Sequence, residues 1–224
     1  MDTNKSPASW HEFKQSIDLF PCWEMHPGFQ GEKQELFCGA SYESTEIEYL
    51  DLLHSFVLAL KPLYVLETGT NMGVSAAAIA YALKYNSENG APKGQLFTIE
   101  LVRPASDYAR QRLENHGLGP FVEFYIGDSI DIIKKAPWEN PFSLVFFDSS
   151  RHIRVKEYQQ LKARRLLASG ALLLFHDTCR CKIKDCDNDA VVQAQYINAV
   201  NRIAEEANGK CLLKLSRGLT ICQL

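Results

Sequence analysis

Residues 63–75 read LYVLETGTNMGVS, in which a short apolar stretch precedes two glycines and the start of an alanine-rich segment. The apolar stretch Leu63–Glu67 predicts a buried strand, and Val74–Tyr85 predicts a helix. Gly69 and Gly73 permit a tight turn between them and let the backbone approach a ligand closely. The start of the following helix offers unbonded N–H groups to a carboxylate. This strand, glycine turn and helix together indicate an α/β protein.

Strand and helix signals alternate along the rest of the chain. The later apolar strands are predicted at Leu96–Glu100, Val122–Ile126, Phe142–Phe147 and, after Gly170, Ala171–Phe175. A long helix over about 190–207 precedes two strands joined by the turn Ser216-Arg217-Gly218. Alternation predicts a parallel sheet with helices on both faces, and the short turn requires an antiparallel last pair. We therefore expect a Rossmann-like, doubly wound α/β fold with a mostly parallel seven-stranded sheet that ends in an antiparallel hairpin.

The chain is expected to have two parts. Residues 1–43 carry aromatic side chains interrupted by proline and glycine, which indicates an N-terminal arm or lid, and residues 44–224 form the α/β domain. The first helix of this domain is expected to start at Ser44-Thr45, which would cap it. Glu46 and Glu48 would then lie in its first turn, where negative charge is favourable.

Composition excludes several classes of protein. With 224 residues, 46% of them hydrophobic and 23% charged, the chain can bury the core of one domain. The net charge of −3, with no basic run longer than Arg164-Arg165, gives no nucleic-acid footprint. No apolar run approaches the roughly 20 residues that span a bilayer. The polar N-terminus and the odd number of cysteines, seven, predict a cytoplasmic protein with free thiols.

One group of cysteines could bind a metal. Cys179, Cys181 and Cys186 form a C-x-C-x4-C pattern, and His176 could supply a fourth ligand. Structural zinc sites more often use pairs of C-x-x-C. We expect a cysteine-rich loop without a structural metal, and zinc is the less favoured alternative.

Ligands of open α/β sheets bind at the carboxyl ends of the strands. A dinucleotide fingerprint requires G-x-G-x-x-G after the first strand, and here Asn71 stands at the second glycine position, which disfavours NAD binding. Glu100 ends the second strand and could accept hydrogen bonds from ribose hydroxyls. Asp128 and Ser129 follow the third strand and could meet an adenine amino group, although Asp128 could equally cap the next helix.

Two more carboxylates follow the fourth and fifth strands. Asp148 and Asp177 should lie side by side, and oxygen ligands of this kind suit Mg²⁺. Two unpaired carboxylates that close would repel unless a cation lay between them. His152, just beyond Asp148, could accept a proton. The alternatives are that both carboxylates are paired with loop N–H groups, without an ion, and that His152 is structural.

In these strand ends the chain resembles the class I S-adenosylmethionine-dependent methyltransferases. It is most similar to small-molecule O-methyltransferases, both the catechol O-methyltransferase type and the cephalosporin hydroxylase/macrocin O-methyltransferase group. The resemblance covers about residues 45–224. It rests on VLETGTNMGVSAAAIA at 65–80, Glu100, GDS at 127–129, VFFDSSRH at 145–152, LLASGALLLFHDT at 166–178 and RGLTI at 217–221.

The resemblance assigns a role to each strand end. The residues expected to contact the methionine part are Glu67, Gly69, Gly73 and Ser75; Glu100 would hold the ribose, Asp128 and Ser129 the adenine edge, and Asp148 the cofactor. Asp148 and Asp177 match metal ligands of metal-dependent members. Two positions depart from the family pattern, since Thr178 replaces an asparagine ligand and Arg151 replaces a lysine. An arginine stays protonated near neutral pH, so His152 is the better candidate for the base.

The expected function is transfer of a methyl group from S-adenosylmethionine to an oxygen of a small molecule. His152 and Asp148 would be the catalytic residues, with Mg²⁺ assistance left open. The alternatives are a non-catalytic S-adenosylmethionine-binding protein of the same fold and a nucleotide-dependent oxidoreductase. The expected partner is the small-molecule acceptor, with no nucleic acid and no membrane, and a homodimer is left open.

Overall fold

The computed structural model describes residues 8–21, 37–41, 43–179 and 190–224. Its helices are α1 Trp10–Gln15, α2 Ile47–Leu60, α3 Val74–Glu88, α4 Arg103–Asn115, α5 Ser129–Lys135, α6 Arg151–Ala163 and α7 Ala190–Glu206. Its strands are β1 Phe20–Pro21, β2 Cys38–Gly39, β3 Tyr64–Thr68, β4 Gln95–Glu100, β5 Val122–Ile126, β6 Phe142–Phe147, β7 Leu167–His176, β8 Gly209–Leu213 and β9 Leu219–Gln223.

The main sheet has seven strands in the order β5-β4-β3-β6-β7-β9-β8. The strands from β3 to β7 pair in parallel, whereas β9 pairs antiparallel with both β7 and β8. The predicted fold class is therefore confirmed, including the final antiparallel hairpin. The chain starts the sheet at β3, adds β4 and β5 on one side of it, and then crosses to the other side of β3 to form β6. Such a reversal opens a crevice at the carboxyl ends of β3 and β6, where α/β sheets bind ligands.

Helices cover both faces of this sheet. One core cluster contains buried side chains of α1, α2 and α3, and the other contains side chains of α5, α6 and α7. The continuous apolar run of β6 lies between the two clusters, as expected for a central parallel strand. Among the helices of the described ranges, none has the length and apolar character needed to cross a bilayer.

The strand predicted at Ala171–Phe175 is longer than expected. It begins at Leu167, which pairs with Phe142, and the register then shifts before Leu172 pairs with Leu144. Gly170, with a φ of +75°, lies within this irregularity. The glycine therefore accommodates a bulge inside β7 rather than marking its start, because glycine tolerates the positive φ.

The described part of the N-terminal arm packs on the core. Trp10 and Phe13 of α1 are buried, and the indole N–H of Trp10 donates to Asp51 of α2 at 2.7 Å. The ring of Phe13 also packs against Tyr81 of α3. These contacts attach residues 8–21 to α2 and α3, and the division of the chain at residue 43 stays a prediction.

Candidate active site

The carboxyl ends of the five parallel strands meet at one edge of the sheet. The register pairs Thr68 with Ile99 and with Phe147, and Phe147 with Phe175. The predicted residues therefore follow five neighbouring strand ends, in the order Asp128, Glu100, Gly69, Asp148 and Asp177 across the sheet.

Gly69 lies where β3 comes closest to β6. Its φ is +89°, and a Cβ added to it would lie 2.4 Å from the carbonyl oxygen of Asp148. Gly73 also has a positive φ, of +78°, but its Cβ would meet Ala109 of α4 at 2.9 Å. Gly69 thus allows the backbone after β3 to lie close to the backbone after β6. Gly73 instead allows the start of α3 to pack closely against α4. Their contacts with a cofactor stay predictions.

Glu100 is held at the start of the crevice by two backbone groups. Its carboxylate accepts from the N–H of Asn71 in the glycine turn at 2.7 Å and from the N–H of Val102 at 2.9 Å. These bonds fix the carboxylate beside the glycine turn. Its role in holding a ribose stays a prediction.

Asp128 and Ser129 use their side chains within the protein. The Asp128 carboxylate caps α5 by accepting from the N–H of Asp131 at 3.1 Å, which is the alternative that the sequence left open. Ser129 is buried, and its hydroxyl donates to Glu157 of α6. Glu157 also accepts from Thr68 at 2.9 Å, so it joins the ends of β3 and β5. The adenine roles of Asp128 and Ser129 stay predictions.

Glu67 lies fully buried beneath the glycine turn. Thr98 donates to its carboxyl group at 2.6 Å. Burial raises the pKa of Glu67 to about 8 against the opposing hydrogen bonds of Ser75 and Thr98, and the charges of Asp148 and Glu100 add to the rise. Glu67 is therefore held in its protonated form near neutral pH by its burial beneath the turn.

His176 bridges two carboxylates behind the crevice. Its Nδ1 lies 2.8 Å from Asp148 Oδ1 and its Nε2 lies 2.7 Å from Glu46 Oε2. Ionised carboxylates only accept hydrogen bonds, so the ring carries a proton on both nitrogens. Burial opposes this charge, but Asp177, Asp148 and Glu46 outweigh it and raise the pKa of His176 to about 9. With both nitrogens engaged and the side chain buried, His176 cannot act as a base.

Asp148 and Asp177 are neighbours but are not unpaired. Arg154 Nη2 of α6 lies 3.2 Å from Asp148 Oδ1 and 2.9 Å from Asp177 Oδ2. Arg217 of the final hairpin contacts Glu46 and lies 3.9 Å from Asp177. Burial would raise the pKa of Asp177, but His176, Arg154 and Arg217 hold it well below its ordinary value. The expected proximity is therefore confirmed, whereas the assumption of two unpaired carboxylates is wrong.

The start of α2 contributes residues that the sequence did not assign to the site. Thr45 donates its hydroxyl to Asp148 Oδ2 at 2.5 Å, and Glu46 binds His176 and Arg217. The expected cap at Ser44-Thr45 is wrong, because the helix begins at Ile47 after Glu46, which makes no side-chain capping bond. The side chains of Thr45 and Glu46 make tertiary contacts instead. Only the acidic residues Glu46 and Glu48 could have indicated a role in the site, and acidic residues are equally common in the first turn of a helix.

His152 lies in the first turn of α6, two residues before Arg154. Its side chain is exposed, and its Nδ1 is 2.9 Å from the hydroxyl of Ser150. Arg151, which precedes it, reaches Asp177 with 3.5 Å between Nη2 and Oδ1. The N-terminus of α6 thus borders the same edge of the sheet, and the catalytic role of His152 stays a prediction.

The cysteine cluster falls largely outside the described residues. Cys179 is a free cysteine just after β7, whereas Cys181 and Cys186 belong to the range 180–189. The prediction of a loop without a structural metal therefore stays a prediction.

A separate cavity of about 310 Å³ lies at the opposite edge of the sheet. Aromatic side chains line it, among them Tyr64, Phe97, Tyr125 and Trp138, with Glu139 at its border. These rings pack against one another edge-on and extend the core. None of the predicted site residues lines this cavity.

The fold is shared with solved methyltransferase structures. TomG, an O-methyltransferase from Streptomyces achromogenes solved with S-adenosylmethionine, is 21% identical with a TM-score of 0.64, and the match covers 81% of each chain. An O-methyltransferase from Bacillus cereus solved with S-adenosylhomocysteine is 16% identical with a TM-score of 0.65, over 100% of this chain and 93% of that one.

Sequence comparison gives a local relative and a family. A protein-L-isoaspartate O-methyltransferase from Pyrobaculum islandicum is 32% identical over 99 residues, which is 44% of this chain and 43% of that protein. A family profile described as a methyltransferase domain matches residues 66–178, from Leu66 in β3 through Thr178, which is 113 of the 224 residues. These residues hold all five predicted strand-end carboxylates and the glycine turn beside them, and their match shows that the chain belongs to the methyltransferase domain family.

Proposed function

We propose that this protein is an S-adenosylmethionine-dependent O-methyltransferase acting on a small molecule. The observation that carries the proposal is the crevice between β3 and β6, where the Gly69 turn, Glu100 and Asp148 meet in a chain of the methyltransferase family. The solved structures from S. achromogenes and B. cereus, which share this fold, hold S-adenosylmethionine and S-adenosylhomocysteine. Family membership favours this activity over the oxidoreductase alternative.

The charges of the crevice suit this cofactor. S-adenosylmethionine carries a sulfonium and an ammonium group, and the carboxylates of Glu100 and Asp148 border the glycine turn where these cations would lie. Glu100 presents its carboxylate beside the glycine turn, where it can accept from ribose hydroxyls. Because Gly69 has no side chain, backbone atoms of Gly69 and Asp148 form the base of the crevice.

The protein's residues would act by positioning and by proton removal. Bound S-adenosylmethionine supplies an electrophilic methyl group on sulfur, which an oxygen nucleophile displaces in line. Thr45 and His176 fix the two oxygens of Asp148 in place. His152 would accept the proton of the acceptor hydroxyl, and because Ser150 engages its Nδ1, we expect Nε2 to do so. Alignment of the reacting atoms supplies most of the rate gain in such a displacement.

The acceptor and the location of the protein are part of the proposal. An exposed His152 at the rim of the crevice suits an acceptor that enters from solvent. The net charge of −3 gives no support for a nucleic-acid acceptor. The free cysteines among the described residues fit a reducing compartment such as the cytoplasm.

Calorimetry with S-adenosylhomocysteine tests the cofactor assignment. Glu100→Ala should weaken binding by about 1–3 kcal/mol, because ribose hydroxyls lose their charged partner. The matched control is Glu139→Ala, which removes the same charge at the opposite edge of the sheet and should leave the affinity unchanged. Equal affinities of wild type and Glu100→Ala would remove the ribose assignment.

Radiolabelled S-adenosylmethionine tests the reaction. Incubation with a panel of phenols and other hydroxylated small molecules should transfer label to oxygen, and His152→Ala should lower kcat more than it changes KM. Binding of S-adenosylhomocysteine without transfer to any class of acceptor would instead support the non-catalytic alternative.

A further inference from the structure

Arg154 occupies the space between the ends of β6 and β7. Its side chain is only 3% exposed, although it starts from α6, a helix with a charged outer face. Nη2 contacts Asp148 Oδ1 and Asp177 Oδ2, one oxygen from each of the two carboxylates predicted to bind a metal ion.

The guanidinium group has no N–H left for another partner. Nε donates to the carbonyl of Ser149 at 2.7 Å, and Nη1 donates to the carbonyl of His176 at 2.5 Å. Nη1 also lies 3.5 Å from the hydroxyl of Tyr196, which itself donates to the His176 carbonyl at 2.7 Å. An arginine has five N–H donors, and here each has an acceptor. The group is therefore fixed in orientation between the two strand ends.

A divalent ion would need the same oxygens. Asp148, His176 and Asp177 each place one ligand atom within 4.8 Å of the others, which is a distance compatible with one ion. However, Arg154 already contacts both carboxylates, and both ring nitrogens of His176 face carboxylates. An ion bound through Asp148 Oδ1 and Asp177 Oδ2 would have to displace Arg154, and an uncompensated buried charge is strongly unfavourable. The other oxygen of Asp177, Oδ1, lies 3.5 Å from Arg151 and 3.9 Å from Arg217, whose charges would repel a further cation. The residues present do not fit a metal ion.

We propose that Arg154 is the permanent cation of this site, which takes the position of a divalent ion between Asp148 and Asp177 and makes the site independent of metal. Arg154 is a positioning residue, because it acts through the carboxylates. It neutralises the two strand-end carboxylates and sets the orientation of Asp148 at the crevice. This inference rests on the proposed function and replaces the expected Mg²⁺.

Manganese binding tests this inference directly. Mn²⁺ prefers the same oxygen ligands as Mg²⁺, and its free ion is measured by electron paramagnetic resonance. The titration is performed on the full-length wild type with S-adenosylhomocysteine, whose binding is measured in the same samples by calorimetry. We expect no stoichiometric Mn²⁺ binding by wild type. One bound Mn²⁺ per chain that is lost in Asp177→Asn would overturn the proposal, whether or not the cofactor binds.

Variants of Arg154 make the test specific. Arg154→Met leaves the two carboxylates without their shared cation, so its affinity for Mn²⁺ should rise by about tenfold or more over wild type, and Mn²⁺ should raise its Tm. Arg154→Lys retains a positive charge and should gain little affinity. The control is Arg202→Met, which removes an exposed arginine from α7 and should behave as wild type.

Each outcome has a separate meaning. A folded Arg154→Met that gains no Mn²⁺ affinity contradicts the proposal. If this variant does not fold, the wild-type titration alone decides. Failure of S-adenosylhomocysteine to bind wild type would remove the proposed function, whereas stoichiometric Mn²⁺ in a protein that binds S-adenosylhomocysteine would remove only the role given to Arg154.

Discussion

Gly69→Ala should destabilise the protein more than the same change at Gly90. Both glycines have nearly the same φ, +89° and +86°, so both variants place alanine in a left-handed conformation. That conformation costs roughly 1–2 kcal/mol, and the lower entropy of the unfolded chain offsets about 0.4–1 kcal/mol of it. The two substitutions differ in their surroundings. At Gly90 nothing lies within 4 Å of the new Cβ, whereas at Gly69 the Asp148 carbonyl oxygen lies 2.4 Å away.

The extra contact sets the size of the effect. Alanine at position 69 must push β3 and β6 apart, and overpacking of this kind costs about 1–3 kcal/mol. The difference between the two variants should therefore be about 2 kcal/mol. Urea denaturation at 25 °C measures it, and with an m value of about 2 kcal/mol/M the midpoint of Gly69→Ala should lie about 1 M below that of Gly90→Ala. Midpoints that agree within error would refute the close approach of the two strands.

Three further predictions concern buried side chains. Because the pKa of Glu67 is raised to about 8, its folded form binds more protons than the unfolded chain, and stability should fall by up to about 5 kcal/mol as pH rises from 4.5 through 8. Glu67→Gln should remove that part of the slope in denaturation curves at several pH values, and an unchanged slope would contradict the raised pKa. Ser129→Ala should lower the free energy of unfolding by about 1–2 kcal/mol, because Glu157 loses a buried hydrogen bond, and an unchanged stability would contradict that contact. The same variant tests the predicted adenine role of Ser129, which requires weaker binding of S-adenosylhomocysteine. Glu46→Ala removes the buried carboxylate that His176 and Arg217 share, so it should cost about 3–5 kcal/mol in chemical denaturation, and a cost under about 1 kcal/mol would contradict the network.

The strand ends were predictable because their signals are local. The apolar strands, the two glycines and the acids after each strand follow one another in sequence, and the parallel sheet brings their ends to one edge. Gly69 and Glu100 could be assigned to this edge from short stretches of chain. The neighbourhood of Asp148 and Asp177 followed in the same way from the strand order.

The charge network behind the crevice was not predictable from local patterns. Glu46 and Arg217 are 171 residues apart in sequence, and they meet only because β9 inserts beside β7. Arg154 lies among charged residues of α6 and resembles a surface arginine in sequence. Its burial depends on Tyr196 of α7 and on two strand ends. The Mg²⁺ prediction placed Asp148 and Asp177 side by side, but it did not include Glu46 or the cation Arg154, which pairs with both aspartates from α6.

A crystal structure with S-adenosylhomocysteine would show whether the crevice between β3 and β6 binds S-adenosylmethionine. We predict that the ligand lies along the carboxyl ends of β3, β4 and β6, with its ribose hydroxyls within hydrogen-bond distance of Glu100 and its homocysteine part against the Gly69 turn. Density for the ligand at another surface would contradict cofactor binding in this crevice, and density at this edge with the ribose away from Glu100 would contradict the role of Glu100.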